Sequence, residues 1–250
     1  MNIVNEQSKD VDPAKEELAY FIQKHLDRIT INLSRVQALI RLADHYPNAP
    51  QELAIRAKDI LRAAVVFLHA TLEDFLRYVG ETYLPASSEE LLNRVALVGT
   101  EDVPRPEKFF LGKLAQHRGK IVDQVITESV NAHLDRVSFS DTTDISNLLE
   151  AAGIAVETIR PLYPRLSALM TRRHQIVHRA DLVDVPGGER KATPIDAATV
   201  TEWAAAVKEF FAHVMAAKAL QDIIPKLKRK HTPEKPNRAD DDPPIHTEVR

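Results

Sequence analysis

Apolar positions recur at three- and four-residue steps along most of the chain. Leu18, Phe21/Ile22, Leu26, Ile29, Leu33, Val36 and Ile40 mark one stripe. It predicts a helix opened by Asp12-Pro13, a cap followed by a first-turn proline, and running to about Tyr46. The segment "PNAP" breaks it. A second stripe, Leu61, Ala64/Val65, Leu68, Leu72, Phe75/Leu76 and Val79, predicts a helix from about Gln51 to Tyr83. Residues Ala63–Leu68 are apolar nearly all round, which suits a central helix covered on several sides. Two long helices with a short connection predict an antiparallel hairpin.

Residues 85–145 alternate short helical pieces with Pro and Gly punctuation. Within them, Ile121, Val125, Val130, Leu134 and Val137 predict one better helix. The segment "SFSDTTD" caps a short helix, "ISNLLEAAG". After Pro161 and Pro164 the pattern predicts a helix from about Arg165 to Asp181. A loop, "DVPGGERKA", follows, and Thr193-Pro194 opens a last helix to about Ile224. No repeat and no strand pair is expected. The fold class is therefore all-α: an antiparallel helical bundle over residues 11–224, with 85–145 as a helical insertion. Residues 1–10 read as a flexible start. Residues 225–250, proline-rich and charged in blocks, read as a disordered tail.

Composition agrees with helix: Ala, Leu, Arg, Lys and Glu fill most of the length, and only 7 of 250 residues are glycine. The absence of cysteine excludes disulfides, thiolate metal sites and cysteine nucleophiles. The opening residues lack a signal-peptide layout, and no apolar run approaches the ~18 residues of a membrane span. A cytoplasmic protein with no membrane partner is expected. The net charge of −3 argues against general nucleic-acid coating but leaves room for a local basic site.

The chemistry concentrates in "TRRHQIVHRADL", residues 171–182. On a helical wheel, Leu166, Met170, Ile176, Val177 and Ala180 form an apolar sector with Arg173 at its centre. Arg172 and Arg179 fall on the opposite flank, where solvent or RNA phosphates would meet them. His174, His178 and Asp181 line the other edge. A guanidinium on a core-facing stripe is costly unless it is paired or lines a cleft. His174 and His178, four apart, could clamp a metal with Asp181 as third ligand. Alternatively, a histidine can move a proton from a ribose 2′-hydroxyl while a guanidinium holds the phosphate. Arg173 and His178 supply those two groups. They point about 140° apart on an ideal helix, so a two-fold dimer would complete the site. Glu73, beside His69 on the second helix, is the candidate acidic partner of Arg173, with Asp74 turned toward solvent. His117, Arg118 and Lys120 form a basic cluster read as a solvated loop or a phosphate contact. The run "KLKRK" reads as a flexible tail or an electrostatic attractant for RNA.

The segment "RHQIVH" matches the Arg-x4–6-His motif of the HEPN superfamily. With "VVFLHATLEDFLR", "LGKLAQHRGKIVDQVI" and "SFSDTTDISNLLEAAGI", the chain resembles the RiboL-PSP-HEPN type over about residues 15–220. The resemblance implies a dimeric helical bundle and metal-independent endoribonuclease activity leaving 2′,3′-cyclic phosphate ends. It implies Arg173 as the phosphate-stabilising arginine, His178 as the catalytic histidine and His174 as the polar residue after the arginine. No cofactor is expected. Family settings include toxin–antitoxin pairs and RNA-based defence, so an antitoxin or defence partner is expected. Some members are non-catalytic nucleotide- or protein-binding modules, and that alternative stays open.

Overall fold

The computed structural model describes residues 13–45, 50–100, 111–184, 186, 188 and 190–230. The expected flexible start, the cap at Asp12 and residues 231–250 of the expected tail lie outside them.

Helices α1 (Pro13–Asp44) and α2 (Gln51–Tyr83) form the backbone of the fold. They run antiparallel. His25 stacks on Tyr78 at 4.0 Å, Arg28 pairs with Asp74 at 2.6 Å, and Arg35 lies 5.2 Å over the Phe67 ring, so the pairing descends along α2 as it climbs α1. Asp74 is thus engaged across the hairpin rather than turned freely to solvent. Of the stripe predicted for α1, Ile29, Val36 and Ile40 are buried in the core, and Leu26 and Leu33 are half-buried. Helix α2 is the central element. It packs against α1, α4, α5, α6 and α7, and Ala64, Val65, Leu68, Leu72 and Leu76 are each fully buried. Phe67 departs from the all-round apolar reading, at 45% exposed beneath the Arg35 guanidinium.

The insertion begins with a 3-10 turn, Leu84–Ala86, and α3 (Glu89–Leu92). It continues to a second 3-10 stretch, Leu111–His117, then α4 (Val122–Leu134) and α5 (Thr142–Ala151). Asp141 caps α5 by accepting from the Thr143 and Asp144 amides. Helix α4 joins the core through Val130 and Leu134, with Ile126 packed half-buried against it. Ile121 and Val122, at the start of α4, are exposed. Gly80 fixes the close approach: a Cβ built there falls 2.8 Å from both Leu134 methyls. Arg77 donates to the Leu134 and Val137 carbonyls and so satisfies the end of α4.

Helix α6 spans Tyr163–Arg179, two residues earlier at each end than predicted. Ala180 and Asp181 both take left-handed backbone, φ 49° and 60°, and both donate their N–H to the Gln175 carbonyl, which terminates the helix. The expected loop "DVPGGERKA" contains an antiparallel pair, β1 (Leu182–Asp184) with β2 (Arg190–Ala192), in register Val183 with Lys191. The pair is short and outside the core, so no apolar alternation announces it. Helix α7 (Ala197–Lys230) starts later than Thr193-Pro194, since Asp196 caps it, and its backbone continues through Pro225 to Lys230. Its Val200, Val207, Phe210 and Val214 close the core over α2 and α6. The class is all-α with one two-stranded hairpin among the described residues. None of the described helices is long and apolar enough to cross a membrane.

Candidate functional site

Helix α6 presents its N-terminal half to the core through Leu166, Leu169 and Met170, all buried. Continuing that face by one turn brings Arg173 to a half-buried position above α2. By the last turn the helix has left the core. Val177 is 48% exposed, and Ala180 is exposed as well, so the apolar sector drawn to Ala180 ends at Ile176.

Arg173 arrives beside His69 of α2. The His69 ring is 2% exposed, its Nδ1 lies 3.8 Å from a Glu73 carboxylate oxygen, and that nitrogen has no hydrogen-bond partner among the described residues. Burial pushes the His69 imidazole below its ordinary value. Glu73 opposes that shift, Arg173 adds to it, and a hydrogen bond to the Phe139 backbone opposes it again. At neutral pH His69 is therefore uncharged. Glu73 is itself mostly buried, with 19% of its side chain exposed. The expected Glu73–Arg173 pair is not closed: among the described residues, Arg173 makes neither an ion pair nor a hydrogen bond.

His174 and His178 stand on the neighbouring face of α6, both exposed, with ring centroids 4.6 Å apart at 44°. Their i, i+4 spacing stacks them one turn apart. The two motif residues thus occupy one helix but different faces. Arg173 leans toward the α2 cluster, and His178 faces outward.

Arg172 corrects the wheel. It is not on a solvated flank but 9% exposed, and Asp181 is 1% exposed. The Asp181 carboxylate accepts from Arg62 Nε at 2.6 Å and from Arg172 at 2.9 Å. The same Arg172 nitrogen donates to the Thr193 and Pro194 carbonyls at 2.9 and 3.0 Å, and Arg62 reaches the Thr193 carbonyl at 3.2 Å. Burial pulls the Arg172 guanidinium down and Asp181 holds it up. This cluster ties α2, the end of α6 and the chain entering α7 into one knot, placing the last turn of α6 and the two histidines on it. Asp181 is therefore committed to two arginines, and the three-ligand set His174, His178 and Asp181 does not assemble. Among the described residues no group of three His, Cys, Asp or Glu gathers as a metal site. Arg179 is exposed on the outer side of the same turn.

The basic cluster at 117–120 also separates. His117 is buried, Lys120 pairs with Glu128 at 2.5 Å, and Arg118 is left exposed. The side chains of the "KLKRK" run lie outside the described residues.

The arrangement can place one guanidinium, backed by a buried His–carboxylate pair, close to two solvent-facing imidazoles. That combination binds an anion and exchanges protons near it. Set against protein-family models, curated proteins and solved structures, the chain matches none.

Proposed function

We propose that the chain is a metal-independent endoribonuclease of the HEPN type. One observation carries the reading: Arg173 sits half-buried on the core-facing side of α6, without a counter-ion among the described residues, one turn from an exposed pair of imidazoles. A guanidinium kept in such a place suits an anion that arrives from outside.

In this mechanism the ribose 2′-oxygen attacks the adjacent phosphorus and the bond to the 5′-oxygen breaks. His178 serves the proton transfers. Arg173 donates to the non-bridging phosphate oxygens as charge grows on them. The products are a 2′,3′-cyclic phosphate and a 5′-hydroxyl end. His174 orients its neighbour, and Glu73 with neutral His69 sets the field around Arg173. Because Arg173 and His178 diverge on one helix, a second copy brings the missing half of each site across a two-fold axis. The setting is a toxin paired with an antitoxin, or another RNA-directed defence system.

The test is incubation of purified protein with RNA in EDTA. Cleavage with cyclic ends is expected, lost by roughly 10²–10⁴-fold in His178→Ala. It also falls steeply in Arg173→Lys, since an ammonium cannot reproduce the guanidinium fork. Abolition by chelator with rescue by zinc or manganese would overturn it. The divergence of Arg173 and His178 equally favours a second reading, a non-catalytic RNA- or protein-binding module. Binding of RNA without any cleavage, at concentrations where dimers form, selects that one.

A further inference from the structure

A groove of about 510 Å³ runs between α6 and the first turns of α7, a volume in the range of small-ligand sites. Its α6 wall carries Ser167, Thr171 and Gln175, and its α7 wall carries Trp203, the only tryptophan in the chain. Trp203 is half-buried, packed against the core while it lines the groove. The side chains of Ser167, Thr171 and Gln175 make no hydrogen bond among the described residues. Arg172 forms part of the wall, and its buried Nε has no partner there.

Two features decide what this groove takes. The first is charge. The Arg172 guanidinium is balanced by Asp181, and the Asp196 carboxylate lies at the groove while capping α7 through Thr199. The walls therefore offer no surplus positive charge to a phosphate. They offer an aromatic face and uncharged donors and acceptors, the chemistry of a nucleobase. The second is position. Ser167, Thr171, His174 and His178 follow one another at steps of four, three and four, so they share one face of α6. Thr171 precedes His178 by about 10 Å along the axis, at 1.5 Å per residue. The groove is thus a continuation of the face that carries the imidazoles.

We propose that this groove is a base subsite: it holds one unstacked base of single-stranded RNA against Trp203, with Ser167, Thr171 and Gln175 at the base edge, next to the phosphate handled at His178. The inference rests on the RNA-substrate reading but not on cleavage. Trp203 fixes the base by stacking, and the three polar side chains set a preference among bases.

Trp203 is also the reporter. The full chain is titrated with a 2′-O-methyl oligonucleotide, which cannot be cleaved, and with an abasic oligomer of equal length and charge. Saturable quenching of Trp203 by the first is expected, with affinity about five- to a hundredfold above that of the second, the size of a single stacked base. Anisotropy of a labelled oligonucleotide should show a loss of the same size in Trp203→Leu and partial recovery in Trp203→Phe. Thr171→Val with Gln175→Leu, on the surface of α6, should change the ranking of the four homopolymers with the fold intact. That variant carries the test should Trp203→Leu fail to fold. Equal affinity for the abasic oligomer, or an unchanged ranking in the α6 variant, would overturn the proposal. Base-dependent quenching without cleavage leaves the subsite standing and removes the nuclease. Cleavage without base-dependent quenching does the reverse.

Discussion

Replacing Asp181 by asparagine removes one negative charge from between two guanidinium groups and alters little else. Asparagine keeps the size of the side chain and one oxygen acceptor. It also tolerates the left-handed backbone at φ 60°, so conformational strain does not confuse the result. Arg62 and Arg172 approach the carboxylate at 2.6 and 2.9 Å, and the Asp181 side chain is wholly buried. Removing one partner of a buried ion pair costs about 3–5 kcal/mol, because the remaining charge stays desolvated. Two arginines are stranded here, yet Arg172 keeps two carbonyls and Arg62 keeps Asp59 at 3.0 Å. The lower end of the range, about 3 kcal/mol, is therefore expected. In a chain of this length that is a fall in melting temperature of about 6–12 °C. Urea unfolding followed by circular dichroism measures it. Asp181→Ala should be worse by about 1 kcal/mol, since it adds the left-handed penalty. A loss below about 0.5 kcal/mol in Asp181→Asn, the scale of ordinary surface changes, would refute the view that this carboxylate holds the knot.

Gly80→Ala should destabilise by about 1–3 kcal/mol through overpacking on Leu134, and pairing it with Leu134→Ala should recover part of the loss. Arg77→Met strands the Val137 carbonyl and leaves the Leu134 carbonyl with the Val137 amide alone, and should cost about 1–3 kcal/mol, with faster amide exchange at the end of α4. His69 has a folded pKa below its ordinary 6.5, so below that pH the unfolded chain takes up a proton that the folded chain refuses. Stability should fall as pH drops through this window, and His69→Gln should flatten the fall; equal slopes in the two proteins would dismiss burial as the cause.

The long elements were legible because their apolar stripes are continuous and their ends are marked by proline. α2 could be read as central from Ala63–Leu68 alone, since residues apolar on every side need several neighbours. Arg172 could not be read in the same way. A wheel asks which face meets one core, whereas α6 meets α2 on one side and the segment entering α7 on another. The carbonyls of Thr193 and Pro194 that receive Arg172 are invisible to side-chain periodicity. A usable signal was present: an aspartate directly after the last turn of α6, with Arg62 on the exposed-looking side of α2. The start of α7 was misplaced for a related reason. Thr193-Pro194 imitates a cap and first turn, while Asp196 with Thr199 performs the capping. At the site, the half-burial of Arg173 followed from the stripe, but the buried state of His69 did not, because one histidine beside an apolar face looks the same covered or open.

The connection between α6 and α7 is fastened at its base before the strands begin. The Thr193 amide donates to the Asp181 carbonyl at 2.9 Å, and the arginine knot grips both residues. Between them lie β1 and β2, exposed at every residue but the half-buried Leu182. Lengthening the loop that joins them costs only about 0.6 kcal/mol per doubling. The turn between β1 and β2 is thus a place where a foreign peptide, a dye site or a whole folded module can be spliced into the chain while His174 and His178 keep their stations, and related chains should differ most in length here.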